Sequence, residues 1–491
     1  MRVLSPLLTL LLVWLMPLFS QAQDPAKRLL SAEQVRKDVA LAKEAYERVH
    51  PGYTRYATQP ELDQAWTAIT QQADSQGGLS VGDLYLQVQT ALVTIRCDHT
   101  KAELPQALRE SRKTGSVYLP FLWQVIEGRG FVSSASEDLA LAYGDEILSI
   151  DGRTLADTIA AVEGFIPVDG YTHWARRGGI SQSLEFMGGA VDHFGALLWD
   201  VPAVAKLTVR GADGDLRQVE VQRVGHTAWT QLLASSGAAR DFKDAITFER
   251  VGDKAAYLRV DTFVNYRNPV KPGKIYDPVF KALRKEGRDT LILDLRNNGG
   301  GSSDASQGLV KRLIPQKMQF KTDMRVATLD LDGLREHLWT WDKRALNPNP
   351  LGFKKNEDGT YSLRSLLTDE MDTLKPHRFA FQGRLIILTS TNNSSGSTNL
   401  ISVLKDLPNT TLVGERTGGN PEGPTAGVLF TLTLPESGIK TRLPFFRYTN
   451  NVTNVEPGMG VTPDVLAPMT VAAFLAQQDP AYDAALEIAG K

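Results

Sequence analysis

Apolar positions in the first hundred residues recur at helical spacing. Ser31 with Gln34 three residues on forms a capping-box pattern, and Val35, Val39, Leu41, Ala45 and Tyr46 mark one face of the helix that follows. The same period predicts a second helix through Glu61 to Gln72 and a third through Val81 to Ile95. This helical region ends in Cys97-Asp98-His99-Thr100, just past the third helix. From about Val117 to Arg223 the pattern changes to short alternating runs: Tyr118 to Ile126, Gly130 to Ser133, Glu146 to Ile150, Ala205 to Arg210 and Gln218 to Gln222. Beyond about Asp241 strands alternate with helices, the signature of an α/β layer architecture.

Two strand-loop-helix units stand out in that last part. In the first, the strand Thr290 to Asp294 runs into Leu295 to Ser303, which contains Asn297-Asn298-Gly299-Gly300-Gly301, and then into a helix through Leu313. In the second, Arg384 to Leu388 is an apolar strand, Ser390 to Thr398 is almost wholly Ser, Thr, Asn and Gly, and Asn399 to Leu404 has helical spacing. Such polar residues suit a turn and a helix N-cap, which explains one or two of the serines without any chemistry. The glycine run lets backbone amides approach a ligand, and the helix start behind it favours negative charge. Neither GxxxxGK[ST] nor GxGxxG is present, so an oxyanion fits better than a nucleotide phosphate. A serine at the neighbouring strand end would share the rim with that loop.

The chain has 491 residues, enough for about two to four domains. Met1 to Ala22 carries a basic Arg2, a Leu-rich stretch from Pro6 to Phe19 and a small-residue site at Ser20-Gln21-Ala22, the pattern of a secretory leader cleaved near Gln23. This predicts a periplasmic or secreted protein without a membrane span after cleavage. Cys97 is the single cysteine, so no internal disulfide can staple the exported chain. Losing Arg2 leaves 53 basic against 56 acidic residues, a formal charge of -3, which argues against a nucleic-acid or anionic-membrane partner.

A serine nucleophile needs a base, which in turn usually needs an orienting carboxylate. Seven histidines are available: His50, His99, His173, His193, His226, His337 and His377. No pair has HExxH spacing, which gives a zinc hydrolase no support. Ser402-Val403-Leu404-Lys405 and Lys113-Thr114-Gly115 match the SxxK and KTG elements of penicillin-binding enzymes, but in the reverse order. No GxSxG elbow is present, which disfavours an α/β-hydrolase esterase.

Two stretches of this sequence resemble known families. Gly144-Asp145-Glu146-Ile147-Leu148-Ser149-Ile150-Asp151-Gly152, followed by a helix near Leu155 to Val162, resembles the centre of a PDZ domain. Asp294-Leu295-Arg296-Asn297-Asn298-Gly299-Gly300, the serine cluster, Val413-Gly414-Glu415-Arg416-Thr417 and Gly460-Val461-Thr462-Pro463-Asp464 are together similar to the S41 peptidases, the tail-specific and tricorn-type serine proteases. The resemblance implies an α/β multidomain chain. After the leader, residues 23–113 form the N-terminal helical region, 114–225 a PDZ-like β-rich module with an insertion at about 165–199, and 240–491 an α/β catalytic domain of crotonase/ClpP-like fold.

Counting eleven residues back from Asp406, as the family's spacing implies, selects Ser395 as nucleophile, with Gly396 and either Gly299 or Gly300 as oxyanion donors. Asn420 stands where the tail-specific branch carries its lysine base, and an amide cannot take up a proton near neutral pH. Lys405 lies about 15 Å along the helix from Ser395 and cannot substitute. The tricorn-type branch implies His99 as base and Glu456 as its carboxylate. Arg129-Gly130-Phe131 is the candidate carboxylate loop of the PDZ-like module. No cofactor and no metal is expected, the partner is a protein or peptide substrate, and homo-oligomerisation is left open. Two other readings share these residues: a non-catalytic ligand-binding or peptide-binding protein, suggested by Thr398 where the family usually has glutamate, and an ester or lactam hydrolase.

Overall fold

The computed structural model describes residues 24–490 apart from 184, 236, 238–240 and 454. The predicted leader therefore lies outside the described residues. The capping box is formed: Ser31 Oγ accepts from the Gln34 amide, and the Gln34 side chain accepts from the Ser31 amide, starting the helix Ala32–Val49. Thr58 and Glu61 repeat the arrangement at the start of Gln59–Gln76, which ends at Gly77 in the left-handed region at φ 74°. The third helix is Val81–Thr94, capped by Ser80. Tyr46, Trp66 and Tyr85 are fully buried where these helices meet. Asp38 accepts from the amides of Glu436 and Ser437, and Ala102–Glu103 pairs with Lys440–Thr441, so the helical region is tied into the C-terminal half.

The β-rich module orders its strands as Leu122–Ile126, Arg129–Ser134, Glu146–Ile150, Val204–Arg210 and Leu216–Gln222, with the helix Leu155–Val162 beside them. The strand Leu122–Ile126 lies at the sheet edge, where a PDZ-type peptide would add. The helix Arg176–Ser181, from the segment read as an insertion, packs against that strand instead.

A six-stranded sheet carries the chemistry. Its order is Ile246–Val251, Ala255–Val260, Thr290–Asp294, Arg384–Thr389, Thr410–Gly414 and Val465–Leu466, and all neighbours are parallel except the first pair. Both faces are covered, which is why Thr290–Asp294 and Arg384–Thr389 read as unbroken apolar runs. Leu291, Leu293, Leu385 and Ile387 pack on the side of the helices Pro272–Lys285, Ser303–Val310 and Ser395–Leu404. Ile292, Ile386 and Leu388 pack on the other side, against Ala485 of Pro480–Ala489. Asp294 is in register with Leu388, so the glycine loop and the serine turn leave the sheet side by side. Arg296 of the glycine loop bridges Asp294 and Asp479, the N-cap of Pro480–Ala489, which makes it a brace for the C-terminal helix.

The periodicity did not predict the second, seven-stranded antiparallel sheet, built largely from Lys321–Val326, Thr425–Thr433 and Lys440–Asn450. No helix among the described residues is long and apolar enough to cross a membrane.

Candidate active site

The serine turn and the glycine loop are pinned to each other by side chains. Asn393 donates to the carbonyls of Leu295 at 2.6 Å and Asn298 at 3.1 Å, and Ser390 donates to the carbonyl of Arg296 at 2.6 Å. The helix Ser395–Leu404 begins at once after this turn, and Ser395 sits in the left-handed region at φ 47°. A non-glycine residue there carries backbone strain of about 1–3 kcal/mol, and such strain clusters at functional sites. Gly300, at φ 106°, lies against it: a Cβ on Gly300 would come within 2.8 Å of the Gly396 nitrogen and 2.9 Å of the Ser395 Cβ. Only glycine fits this contact.

The amides of Gly396 and Gly299 have no hydrogen-bond partner among the described residues. The Gly300 amide donates to Asn298 Oδ1 at 2.9 Å, inside the protein. This corrects the expectation that either glycine could serve: Gly300 has spent its donor holding the loop, and Gly299 keeps one free.

The histidine turn is built differently. Arg96 ends the third helix in the left-handed region at φ 60°, and Thr100 N donates to Cys97 O at 3.1 Å, closing a turn with Asp98 and His99 at its centre. Behind it, His50 Nδ1 accepts from Gly52 N at 3.1 Å, so its proton sits on Nε2 and is donated to Thr100 Oγ1 at 3.0 Å. His99 Nδ1 is ion-paired with Asp98 Oδ1, and Ser394 Oγ donates to Asp98 Oδ2. Asp169, from the segment read as an insertion, accepts from the Asp98 amide at 3.2 Å.

Electrostatics sort these groups. Burial pushes the Asp169 carboxyl well above its usual range, and the charge of Asp98 adds to the effect. Burial alone would also raise Asp98, but the charge and hydrogen bond of His99 outweigh it and hold Asp98 ionised. For His99, burial disfavours the imidazolium, and the adjacent Asp98 overcomes this and moves its pKa well above the ordinary histidine value.

Ser395 and His99 line one cavity of about 2070 Å³, together with Asp98, Gly299, Gly300 and Ser394. No hydrogen bond joins Ser395 to His99 among the described residues. Glu456 is not brought to His99 either: it lies exposed on a turn, and its carboxylate makes no hydrogen bond among the described residues. The turn is held by backbone, through Gly458 N to Glu422 Oε1 at 2.7 Å and Tyr171 N to Gly458 O at 2.8 Å, which leaves the Glu456 side chain in solvent. The carboxylate on His99 is that of Asp98, its neighbour in sequence. Asn420 is buried at 3% exposure, and Lys405 is ion-paired with Asp406 at 2.8 Å.

Arg129-Gly130-Phe131 does not form an open carboxylate loop. Arg129 pairs with Glu146 through two hydrogen bonds of 2.7 Å, and Phe131 is 1% exposed, packed with Val471 and Phe474 of the C-terminal segment. A tail carboxylate finds neither a free guanidinium nor an open pocket there.

Sequence reasoning missed Asp98, Ser394 and Asp169. The first two are immediate neighbours of His99 and Ser395, a signal that was available. Asp169 had no signal, because residues 165–199 read as excess length. That segment is a strap over the site: Trp174 Nε1 donates to Thr417 O at 3.0 Å, and Arg177 donates to both carboxylate oxygens of Glu415 at 2.8 Å.

Comparison with known proteins now gives this arrangement its class. The model of the PDZ domain matches residues 115–227, and the model of peptidase family S41 matches residues 254–467. The chain thus carries a peptidase family S41 domain at residues 254–467 and a PDZ domain at residues 115–227. The structure of mature CPAF complexed with lactacystin is similar over 93% of this chain and 97% of that one, at 18% identity and a TM-score of 0.63. Mature CPAF alone gives 17% identity and a TM-score of 0.64 over 93% of this chain and 96% of that one. At these identities the likeness establishes the fold. No curated protein gives a significant match.

Proposed function

We propose that the protein is an exported serine endopeptidase in which Ser395 attacks the scissile carbonyl and His99 is the base. Asp98 takes the orienting part that the sequence comparison had given to Glu456. The observation that carries this reading is the pairing of Asp98 with both His99 Nδ1 and Ser394 Oγ, which brings the histidine turn against the strained serine turn.

The chemistry follows from those positions. His99 Nε2 takes the Ser395 proton as Oγ bonds to the carbonyl carbon, and Asp98 stabilises the imidazolium that forms. The Gly396 and Gly299 amides donate to the developing oxyanion, each worth about 3 kcal/mol in the transition state. The imidazolium then protonates the leaving amine, and water resolves the acyl-enzyme by the same steps in reverse roles. A hydrogen bond between nucleophile and base often tightens only in the substrate complex, so the lack of one between Ser395 and His99 does not count against the pair. Phe320, Met324, Leu429, Phe445 and Phe446 line the cavity and favour peptides with apolar side chains. Export rests on the leader pattern in Met1 to Ala22.

The test is labelling by a fluorophosphonate probe in wild type, Ser395→Ala and His99→Ala, followed by digestion of a peptide library. Loss of labelling in both variants and cleavage of internal peptide bonds are the expected results. Labelling that survives Ser395→Ala overturns the nucleophile, and a wild type that neither labels nor cleaves indicates a binding protein.

A further inference from the structure

Cys97, Asp98, His99 and Asp169 bring a thiol, two carboxylates and an imidazole to one point, with one ligand atom from each lying within 4.8 Å of every other. We propose that this cluster is a zinc site and that zinc bound there switches the peptidase off. The switching half rests on the reading of His99 as base; the site itself does not.

The donor set suits zinc, a borderline-soft ion that takes sulfur, nitrogen and oxygen ligands in a tetrahedron. Metal–ligand bonds of about 2.0–2.3 Å put tetrahedral ligand atoms roughly 3.3–3.8 Å apart, so the cluster closes on an ion with movements of about 1 Å. Three donors come from consecutive residues because the turn closed by Thr100 N to Cys97 O places Asp98 and His99 at its centre. The fourth arrives from the strap.

A second observation points the same way. Asp169 is 2% exposed, yet its Oδ2 is buried without a hydrogen-bond partner among the described residues. A buried carboxylate oxygen left without a partner is costly, and a metal bond would offset that cost. The outer oxygens are already held: Ser394 donates to Asp98 Oδ2, and the Asp98 amide donates to Asp169 Oδ1. That support orients ligands around a metal. Asp98 and His99 line the large cavity, which gives an ion its entry path.

Inhibition follows from the imidazole. An ion on Nδ1 takes the electron pair that held the Nδ1 proton, the ring proton passes to Nε2, and the protons of the Cys97 thiol and the Asp169 carboxyl leave to solvent. The ligated ring is neutral and keeps its one proton on Nε2. Nε2 then has no lone pair with which to accept the Ser395 proton. Zinc removes the base without moving the serine.

The experiment is a cobalt titration of the full-length protein, stripped with a chelator, read by absorption. One Co²⁺ per chain is expected, with tetrahedral d–d bands and a thiolate charge-transfer band in the near ultraviolet, both abolished by added Zn²⁺. Cys97→Ser should lose the charge-transfer band, and Cys97→Ser and Asp169→Asn should each bind on the order of 100-fold more weakly. In a peptide-cleavage assay Zn²⁺ should inhibit wild type, EDTA should restore it, and Cys97→Ser should keep basal activity and resist the same zinc concentration. Absent cobalt bands, or an unchanged spectrum in both variants, overturn the site. This readout needs no turnover, so it stands apart from the peptidase reading. A Cys97-dependent cobalt site in an active peptidase that zinc leaves uninhibited overturns the switch, whereas His99 as base stands or falls by the labelling of His99→Ala.

Discussion

Ser394 donates its hydroxyl hydrogen to Asp98, joining the serine turn to the histidine turn across 296 positions of sequence. A hydrogen bond to a charged group contributes about 1.5–3 kcal/mol. If it holds His99 in place for Ser395, Ser394→Ala should lower kcat/KM by about 10–100-fold. Ser395→Ala should instead leave only background turnover. Steady-state kinetics on one peptide separates the two, and equal losses would make Ser394 part of the nucleophile rather than its support.

Gly300 tests the geometry of the oxyanion loop without touching a donor. Its amide is committed to Asn298, but its Cα faces the Gly396 nitrogen, and a methyl there would come within 2.8 Å of it. Gly300→Ala should therefore push the loop off the Gly396 amide and cut kcat by about 10²–10³, the typical cost of one oxyanion donor. Circular dichroism should be unchanged. Wild-type turnover in this variant would exclude the loop from the reaction.

Part of this was legible in the chain because it obeys local rules: the capping box at Ser31 and the apolar strands before the glycine loop and the serine turn follow from short-range pattern. Ser395 was singled out among the serines only by the spacing that the family resemblance implies. The seven-stranded sheet was hidden because it joins strands from distant parts of the chain, so pairing such as Lys440 with Glu103 is set by tertiary contact. Glu456 was selected by its place before a motif, but backbone bonds at Gly458 fix that turn with its side chain outward. Thr417 and Asp464 are motif residues that hold the scaffold: Thr417 Oγ1 accepts from Val461 N at 2.8 Å, and Asp464 Oδ2 accepts from Leu412 N at 2.7 Å.

Arg177 fastens the strap to Glu415. One guanidinium nitrogen, Nη2, reaches both carboxylate oxygens, and the pair is partly exposed, 34% and 17% for the two side chains, so its loss should cost only about 1 kcal/mol of stability. Its effect on access should be larger. Arg177→Ala should speed proteolytic nicking within residues 165–199 and raise KM several-fold more than it changes kcat. An unchanged nicking rate would show that Trp174 and Tyr171 hold the strap by themselves.

The PDZ domain should not select substrates by a free C-terminus through Arg129-Gly130-Phe131. Arg129 is paired with Glu146, and Phe131 packs with Phe474, whose ring also stacks on Tyr143 at 4.7 Å. Amidating the C-terminus of a peptide substrate should leave KM unchanged within about twofold, and Arg129→Ala should not alter that ratio. Phe474→Ala, by contrast, should destabilise the protein by about 3 kcal/mol in chemical denaturation. A strong preference for the free carboxylate that vanishes in Arg129→Ala would reverse this assignment.

His50 should make the fold acid-sensitive. Its ring is buried, and burial holds its pKa down to about 3 from an ordinary value of 6.5. With Nδ1 accepting from Gly52 and Nε2 donating to Thr100, the ring has no site for a second proton without losing a bond. The unfolded chain binds that proton below about pH 6.5 and the folded chain does so only below about 3. The stability due to neutral His50 is therefore present above pH 6.5 and lost as pH falls, at up to about 1.4 kcal/mol per pH unit. Between pH 7 and pH 5 the loss should be about 2 kcal/mol greater in wild type than in His50→Gln, which cannot titrate. Urea denaturation at the two pH values measures the difference, and parallel losses would mean that His50 is already charged in the folded protein.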